Sequence, residues 1–407
     1  MILTSRNAGP SAQSGFYRNS LGAVTRIAGT IALVAGLSAC QYMPQVSSLP
    51  SFLGGGSSAP KPAELQPNPS LIPVRQAWSA RVGAVNMPLS VQVSGTTVAV
   101  ASGDGGIALI DAATGRDIWR ASAGGPIAAG VGSDGQTAAV VTRGNELVVL
   151  SAGKEIWRAR LGASGYTAPF IAGGRVFVLT ADRAVSAFDG QTGRKLWTQV
   201  RAGSEPLVLK HHGVMLAVGD TLIVGMSGRL IGMNPTTGAA RWEAPIASPR
   251  GINDVERLVD LVGTVSRIEN SVCARAFQAT VGCIDAARGI VGWSRPANGA
   301  EGVSGDERLV FGSESDGKVI AWRRDTGERA WMTDKLQFRG LSGPLSLGRS
   351  VVVGDASGYV HLLSREDGSL LNRVATDGSA IAASPVVAGN TLVVVTRAGG
   401  VYGFVPN

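Results

Sequence analysis

The sequence predicts an all-β protein, an eight-bladed β-propeller whose ring is closed by its N- and C-terminal strands. Three observations support this: a Gly-x-x-x-Trp motif recurs about every forty residues, short β-rich runs precede each copy, and the chain ends inside a repeat. Repeats of this length indicate an array of one supersecondary unit. Three or four short strands per repeat favour propeller blades over a sandwich or a solenoid.

The motif occupies eight equivalent slots. Seven of the eight tryptophans in the chain stand at this one position, and asparagine fills the last slot. Each indole is therefore expected to fill the same gap between neighbouring sheets. The preceding glycine is expected at positive φ in a tight turn, where a side chain would clash. The slots are Trp78, Trp119, Trp157, Trp197, Trp242, Trp293, Trp331 and Asn372.

The two ends of the repeat array are complementary. The last repeat stops at Asn407 before any tryptophan strand, whereas the folded part begins with one, at Trp78. The N-terminal strand is therefore expected to complete the last blade, which removes open sheet edges. We assign residues 71–407 to the propeller.

The N-terminus has the composition of an export signal. Residues 1–39 carry three arginines, no acidic residue and an apolar run too short to span a bilayer. They end in Leu-Ser-Ala-Cys, which resembles the bacterial lipobox and implies lipidation of Cys40; the alternative is a plain secretory signal with a chance cysteine. Gln41, in place of aspartate, favours the outer membrane by resemblance to bacterial sorting rules. Residues 40–70, rich in Gly, Ser and Pro, are expected to form a flexible tether.

Charge does not point to a particular ligand. The formal net charge is +8, to which the signal contributes three arginines. Solvated surface charge accounts for the remainder, and no nucleic-acid-binding motif is present. We therefore expect no nucleic-acid partner.

The repeat resembles the quinoprotein-type, PQQ-like propeller repeat, so an enzyme must be considered. Resemblance to the quinone-dependent dehydrogenases of this type would imply a longer chain with two adjacent cysteines and a calcium site. No adjacent cysteine pair occurs in this sequence. The adjacent His211 and His212 cannot form a metal site alone, and we expect them in a solvated loop. We predict no catalytic residue, no metal and no cofactor; a periplasmic quinoprotein-like enzyme or a ligand-binding propeller is the alternative.

Two cysteines lie symmetrically about Gln278. A hairpin centred there would place Cys273 and Cys283 opposite each other, and an oxidising compartment would permit a cross-strand disulfide. The alternative is a pair of buried thiols, and either arrangement is structural.

Two repeats contain extra residues. The slots are 38 to 41 residues apart except for Trp197 to Trp242, which spans 45, and Trp242 to Trp293, which spans 51. Insertions in repeat proteins map to loops, and loops on a rigid scaffold carry recognition. These two segments are therefore candidates for partner binding.

Together with the lipobox, the inserts make the mature chain resemble the BamB family, lipoprotein subunits of the outer-membrane β-barrel assembly (BAM) machinery. In that family, motifs like L-x-L-R-G and E-x-R-L-x-D-x-D lie on neighbouring loops that contact the periplasmic domains of BamA, the central barrel subunit. Lysine replaces arginine here, so the bidentate geometry of a guanidinium is lost. The matching residues are Leu207, Leu209 and Lys210, followed by His211 in place of glycine, and Glu256, Arg257 and Asp260, followed by Val262 in place of aspartate.

The resemblance implies a non-catalytic scaffold, lipid-anchored at the periplasmic face of the outer membrane. Its expected partners are BamA and other BAM subunits, with nascent outer-membrane proteins as further candidates. Three alternatives remain open. Leu207 and Leu209 could be core leucines of an inner strand, Arg257 and Asp260 could form only an exposed ion pair, and the propeller could organise a different envelope complex.

Overall fold

A computed structural model describes residues 60–201, 208–249 and 258–407. These residues form strands without any helix, arranged as eight four-stranded antiparallel sheets. The predicted eight-bladed propeller is therefore confirmed. The predicted signal peptide, Cys40 and the tether up to residue 59 lie outside the described residues. The described part of the chain contains no helix long and apolar enough to cross a membrane.

Each of blades one to seven uses four consecutive strands, and blade eight combines both ends of the chain. Blade one is β2 (Gln92–Ser94), β3 (Thr97–Ala101), β4 (Gly106–Asp111) and β5 (Asp117–Ser122); blade two is β6 (Ile127–Ser133), β7 (Thr137–Thr142), β8 (Glu146–Ser151) and β9 (Lys154–Arg160); blade three is β10 (Phe170–Ala172), β11 (Arg175–Leu179), β12 (Ala184–Asp189) and β13 (Lys195–Val200); blade four is β14 (Met215–Val218), β15 (Thr221–Met226), β16 (Arg229–Met233) and β17 (Ala240–Pro245). Blade five is β18 (Leu261–Ile268), β19 (Ser271–Ala276), β20 (Thr280–Asp285) and β21 (Ile290–Pro296); blade six is β22 (Val303–Gly305), β23 (Leu309–Ser313), β24 (Val319–Arg323) and β25 (Arg329–Thr333); blade seven is β26 (Leu345–Leu347), β27 (Ser350–Gly354), β28 (Tyr359–Ser364) and β29 (Leu370–Ala375); blade eight is β30 (Val386–Ala388), β31 (Thr391–Val395), β32 (Gly400–Pro406) and β1 (Val74–Arg81).

The ring closes in blade eight, as predicted. Strand β1 pairs antiparallel with β32 from Val74 opposite Pro406 to Arg81 opposite Gly400. The N-terminal strand thus forms the outer edge of a sheet whose other three strands come from the C-terminus. Closure leaves each blade a neighbour on both faces, so no sheet face is left without a packing partner.

The hydrophobic core is divided among the interfaces between blades. Each of the eight apolar clusters draws its buried residues mainly from two neighbouring sheets. Between blades one and two, for example, Leu109 and Val140 are fully buried in one cluster. Inner strands are therefore apolar on both faces, which explains their continuous rather than alternating hydrophobic runs.

Each tryptophan slot packs against the next blade rather than against its own turn. The Trp78 indole donates a hydrogen bond to the Ala112 carbonyl at 2.8 Å, and Trp293 donates to the Arg324 carbonyl at 2.7 Å. A Cβ on Gly115, which has φ +71°, would lie 2.5 Å from the Trp78 ring. The glycine is thus required both by backbone conformation and by the close approach of an indole from the preceding blade.

The antiparallel order of the strands gives the ring two distinct faces. All links from one blade to the next leave from one face, which we call the connector face. The turns between third and fourth strands, which receive the tryptophans, lie on the opposite face, which we call the turn face. Both long inserts link one blade to the next, so both lie on the connector face.

Candidate partner-binding site

The two long connectors lie side by side on the connector face. Gly213, at the end of the first, pairs antiparallel with Val262 at the start of β18. The Gly263 amide also donates to the His212 carbonyl at 2.7 Å. The described ends of the two inserts are therefore in direct contact. Residues 202–207 and 250–257, including Leu207, Glu256 and Arg257, lie outside the described residues.

Asp260 joins the two connectors from within. The residue is 9% exposed, and one carboxylate oxygen accepts a hydrogen bond from the Leu209 amide at 3.0 Å. The other oxygen lies 3.3 Å from the Ser227 amide and 3.3 Å from Arg183 Nη1. The carboxylate thus links its own connector to the first connector and to one turn each of blades three and four. Its contacts with Arg183 and Ser227 are buried and that with Leu209 is partly buried, so Asp260 does not form the exposed ion pair that was the alternative.

The remaining described residues of the predicted site differ in exposure. Leu209 is half-buried and lines a small cavity of about 40 Å³ beside Asp260, whereas the Lys210 side chain is exposed. Val262, where the family pattern has an aspartate, is 1% exposed within β18. An aliphatic side chain suits that position because an ionised carboxylate there would be desolvated.

Next to this surface, a cavity of about 300 Å³ opens at the centre of the ring. Its walls come from several blades and include Lys210, His211, Glu301 and Arg397. In the region covered by the structure, no cluster of three His, Cys, Asp or Glu side chains could hold a metal ion. The cavity is lined by both charged and apolar side chains.

His211 and His212 lie in the first connector, as predicted for a loop, but both are half-buried against the cavity rather than fully solvated. The two residues line this cavity because the paired connectors draw their backbone inward. Burial disfavours the charged form of His211, but Glu301 Oε1, 3.5 Å from its Nε2, outweighs burial and raises the pKa of His211. Burial, with the charge of His211, lowers the pKa of His212 to about 4. Adjacent residues therefore carry opposite shifts.

The cysteines lie away from the connectors, in blade five. Cys273 on β19 is opposite Cys283 on β20, and the structure joins them in a disulfide. Both are buried against blade six, where Arg324 Nη1 lies 3.2 Å from the Cys273 sulfur. The disulfide therefore lies in the packing between blades five and six.

Comparison with known proteins gives the decisive observation for the family. Residues 75–333 match the family described as outer membrane protein assembly factor BamB. The chain belongs to the BamB family. A relative of the same description from Burkholderia pseudomallei is 40% identical over 358 residues, covering 86% of this chain and 94% of that protein. Another from Bordetella pertussis is 36% identical over 343 residues, covering 83% and 89%.

Solved structures agree with the propeller. The crystal structure of BamB from Moraxella catarrhalis matches with a TM-score of 0.74 and 26% identity, covering 81% of this chain and 99% of that one. Quinohemoprotein alcohol dehydrogenase from Comamonas testosteroni matches with a TM-score of 0.63 and 15% identity, covering 83% of this chain and 77% of that one, which shows likeness of fold alone.

Family membership makes this chain a component of outer membrane protein assembly, associated with the outer membrane. The relatives are assembly factors rather than enzymes, in agreement with the prediction that this chain is not an enzyme. The sequence singled out two connectors that the structure brings into contact, but it did not indicate the inward orientation of Asp260 or the cavity position of the histidines. The sequence does not show which backbone amides a carboxylate such as that of Asp260 will bind.

Proposed function

We propose that this chain is a non-catalytic scaffold, lipid-anchored through Cys40 at the periplasmic face of the outer membrane, that docks on the periplasmic domains of BamA. In this role it assists the assembly and insertion of outer-membrane proteins. The observation that carries the proposal is the joining of the two long connectors by Asp260 into one surface, with Lys210 exposed beside it.

The physical argument is preorganisation. A partner that binds a surface already held by buried hydrogen bonds avoids much of the entropic cost of ordering loops. Half-buried Leu209 beside an exposed cation provides an apolar centre with a charged rim, which is typical of binding surfaces. Lys210 is then expected to face an acidic group on BamA.

The test is a calorimetric titration of residues 41–407 with the purified periplasmic domains of the matching BamA. Saturable binding is expected. A variant with Leu207→Ala, Leu209→Ala and Lys210→Ala should bind at least tenfold more weakly, and Lys210→Arg should bind as tightly as the wild type or more tightly, because arginine adds a second aligned donor.

The matched control is Lys154→Ala, which removes an exposed lysine on the turn face. It should leave the affinity unchanged. Absence of wild-type binding at high micromolar concentration, or equal losses in the Lys154 and connector variants, would refute docking through this surface while leaving the family assignment intact.

A further inference from the structure

Blade seven is the one blade whose tryptophan slot holds asparagine. In the other junctions, the indole of one blade packs on the turn between the third and fourth strands of the next. Blade eight has no such turn, because its third strand, β32, ends the chain and its fourth strand, β1, begins the folded part. An indole at Asn372 would therefore have no glycine turn to receive it.

Asn372 instead binds the chain that leads into β1. The residue is 5% exposed; Nδ2 donates to the Ile72 carbonyl at 2.6 Å, and Oδ1 accepts from Asn68 Nδ2 at 2.9 Å. Asn68 Nδ2 also lies within 3.0 Å of the Arg373 carbonyl. An amide suits this position because it both donates and accepts, whereas an indole only donates.

The contacts continue from the turn face to the connector face. The Leu71 amide donates to the Leu371 carbonyl at 2.8 Å, and Arg373 Nη1 donates to the Gln66 carbonyl at 3.0 Å. At the other end, the Ala63 amide donates to the Gln337 carbonyl at 2.8 Å. Gln337 lies in the link between blades six and seven, so this segment reaches the connector face.

The receiving arginine at that end is held in place by a buried carboxylate. Arg339 Nη1 donates to the Ala63 carbonyl at 2.9 Å, while its Nε donates to Asp355 Oδ2 at 2.7 Å. His361 Nε2 lies 3.0 Å from the same carboxylate oxygen, and both Asp355 and His361 are buried. Arg339 is thus a preformed anchor rather than a mobile surface side chain.

We propose that residues 63–72, which include the last eight residues of the expected tether, form a clamp on blade seven that fixes the point at which the preceding chain leaves the connector face. The part of this inference that concerns the membrane rests on the proposed lipid anchor. Cys40 and Ala63 are 23 residues apart in the sequence, and a flexible chain of that length would have a root-mean-square end-to-end distance of about 26 Å. A six-residue strand such as β28 spans about 20 Å. The reach of the chain before Ala63 is thus comparable with the distance between the two faces of the ring. The face at which that chain leaves the propeller should therefore lie nearer the membrane than the opposite face.

The clamp is tested first without the lipid, by hydrogen exchange of residues 41–407. The Leu71 amide should exchange at least tenfold more slowly than an exposed amide. A variant with Asn68→Ala and Ala63→Pro, which removes the Asn68 bonds and the Ala63 donor, should lose that protection. The exposed control Gln136→Ala should keep it. Unprotected exchange of Leu71 in the wild type would overturn the clamp.

The exit point is tested with the full lipidated chain in phosphatidylethanolamine and phosphatidylglycerol vesicles that carry an acceptor dye. Donor dyes are placed at Lys335→Cys on the connector face or Arg349→Cys on the turn face, both exposed positions beside blade seven. Transfer to the membrane should be about twofold stronger from position 335. This difference should shrink in the Asn68→Ala, Ala63→Pro background.

Equal transfer from both positions in the wild type, or a difference that survives release of the segment, would overturn the inference. The outcome is independent of docking on BamA. If the calorimetric titration fails while the asymmetry remains, the clamp stands and the docking surface is refuted.

Discussion

Replacing Asp260 by asparagine should loosen both connectors without touching an exposed side chain. The carboxylate accepts three hydrogen bonds, at 3.0, 3.3 and 3.3 Å. Hydrogen bonds to charged groups contribute about 1.5 to 3 kcal/mol each, and the two longer ones belong at the low end. Because asparagine keeps one acceptor oxygen, we expect Asp260→Asn to lower the free energy of unfolding by about 3 kcal/mol.

The matched control is Asp220→Asn, whose carboxylate pairs with Arg241 but is largely exposed. Exposed pairs contribute about 0 to 1 kcal/mol, so this variant should unfold nearly as the wild type does. Urea unfolding supplies both values, and hydrogen exchange should show faster exchange at the Leu209 and Ser227 amides in Asp260→Asn alone. Affinity for BamA should also fall, although Lys210 is unchanged. Equal stability of the two variants would refute the role of Asp260 in joining the connectors.

Three further predictions concern the ring. Gly327→Ala forces φ +71° on alanine and places Cβ 2.5 Å from the Trp293 ring, so it should lower the free energy of unfolding by about 2 to 4 kcal/mol. When it is combined with Trp293→Phe, the total loss should be smaller than the sum of the two separate losses. Strict additivity in urea unfolding would contradict the packing of Gly327 against Trp293. His212 is protonated more readily in the unfolded chain because its folded pKa is lowered to about 4, so its own contribution to stability should fall as pH drops from about 6.5 to 4, opposite in sign to that of His211, whose pKa is raised. The loss should be smaller in His212→Gln; identical pH profiles would contradict it. Replacing Cys273 and Cys283 by serine should cost about 2 to 3 kcal/mol by the chain-entropy argument, and a thermal midpoint equal to that of the oxidised wild type would count against the bridge.

The sequence predicted the parts of the fold that repeat. Seven tryptophans at one position, and a missing strand at the C-terminus, indicate blade number and closure because each repeat supplies the same evidence again. The opposition of Cys273 and Cys283 was predictable because a hairpin fixes its own register.

The features that occur once were not predictable in the same way. Asn68 and Asn372 are 304 residues apart, and their hydrogen bond depends on the ring closing correctly first. Residues 63–72, which include two prolines, give no apolar pattern that would indicate their attachment to blade seven. Likewise, the Asp260 carboxylate binds backbone amides, which nearly every residue type carries. No side-chain motif therefore predicts that Asp260 points inward.

The separation of the two faces also makes the propeller modular. Contacts that set the spacing between blades, such as Trp293 to the Arg324 carbonyl, lie toward the turn face. Connectors on the other face can therefore lengthen without changing that spacing, as the 45- and 51-residue intervals illustrate. The same arrangement would suit engineering. A foreign peptide inserted into a connector would be displayed on a ring whose geometry is set by the tryptophan contacts on the opposite face.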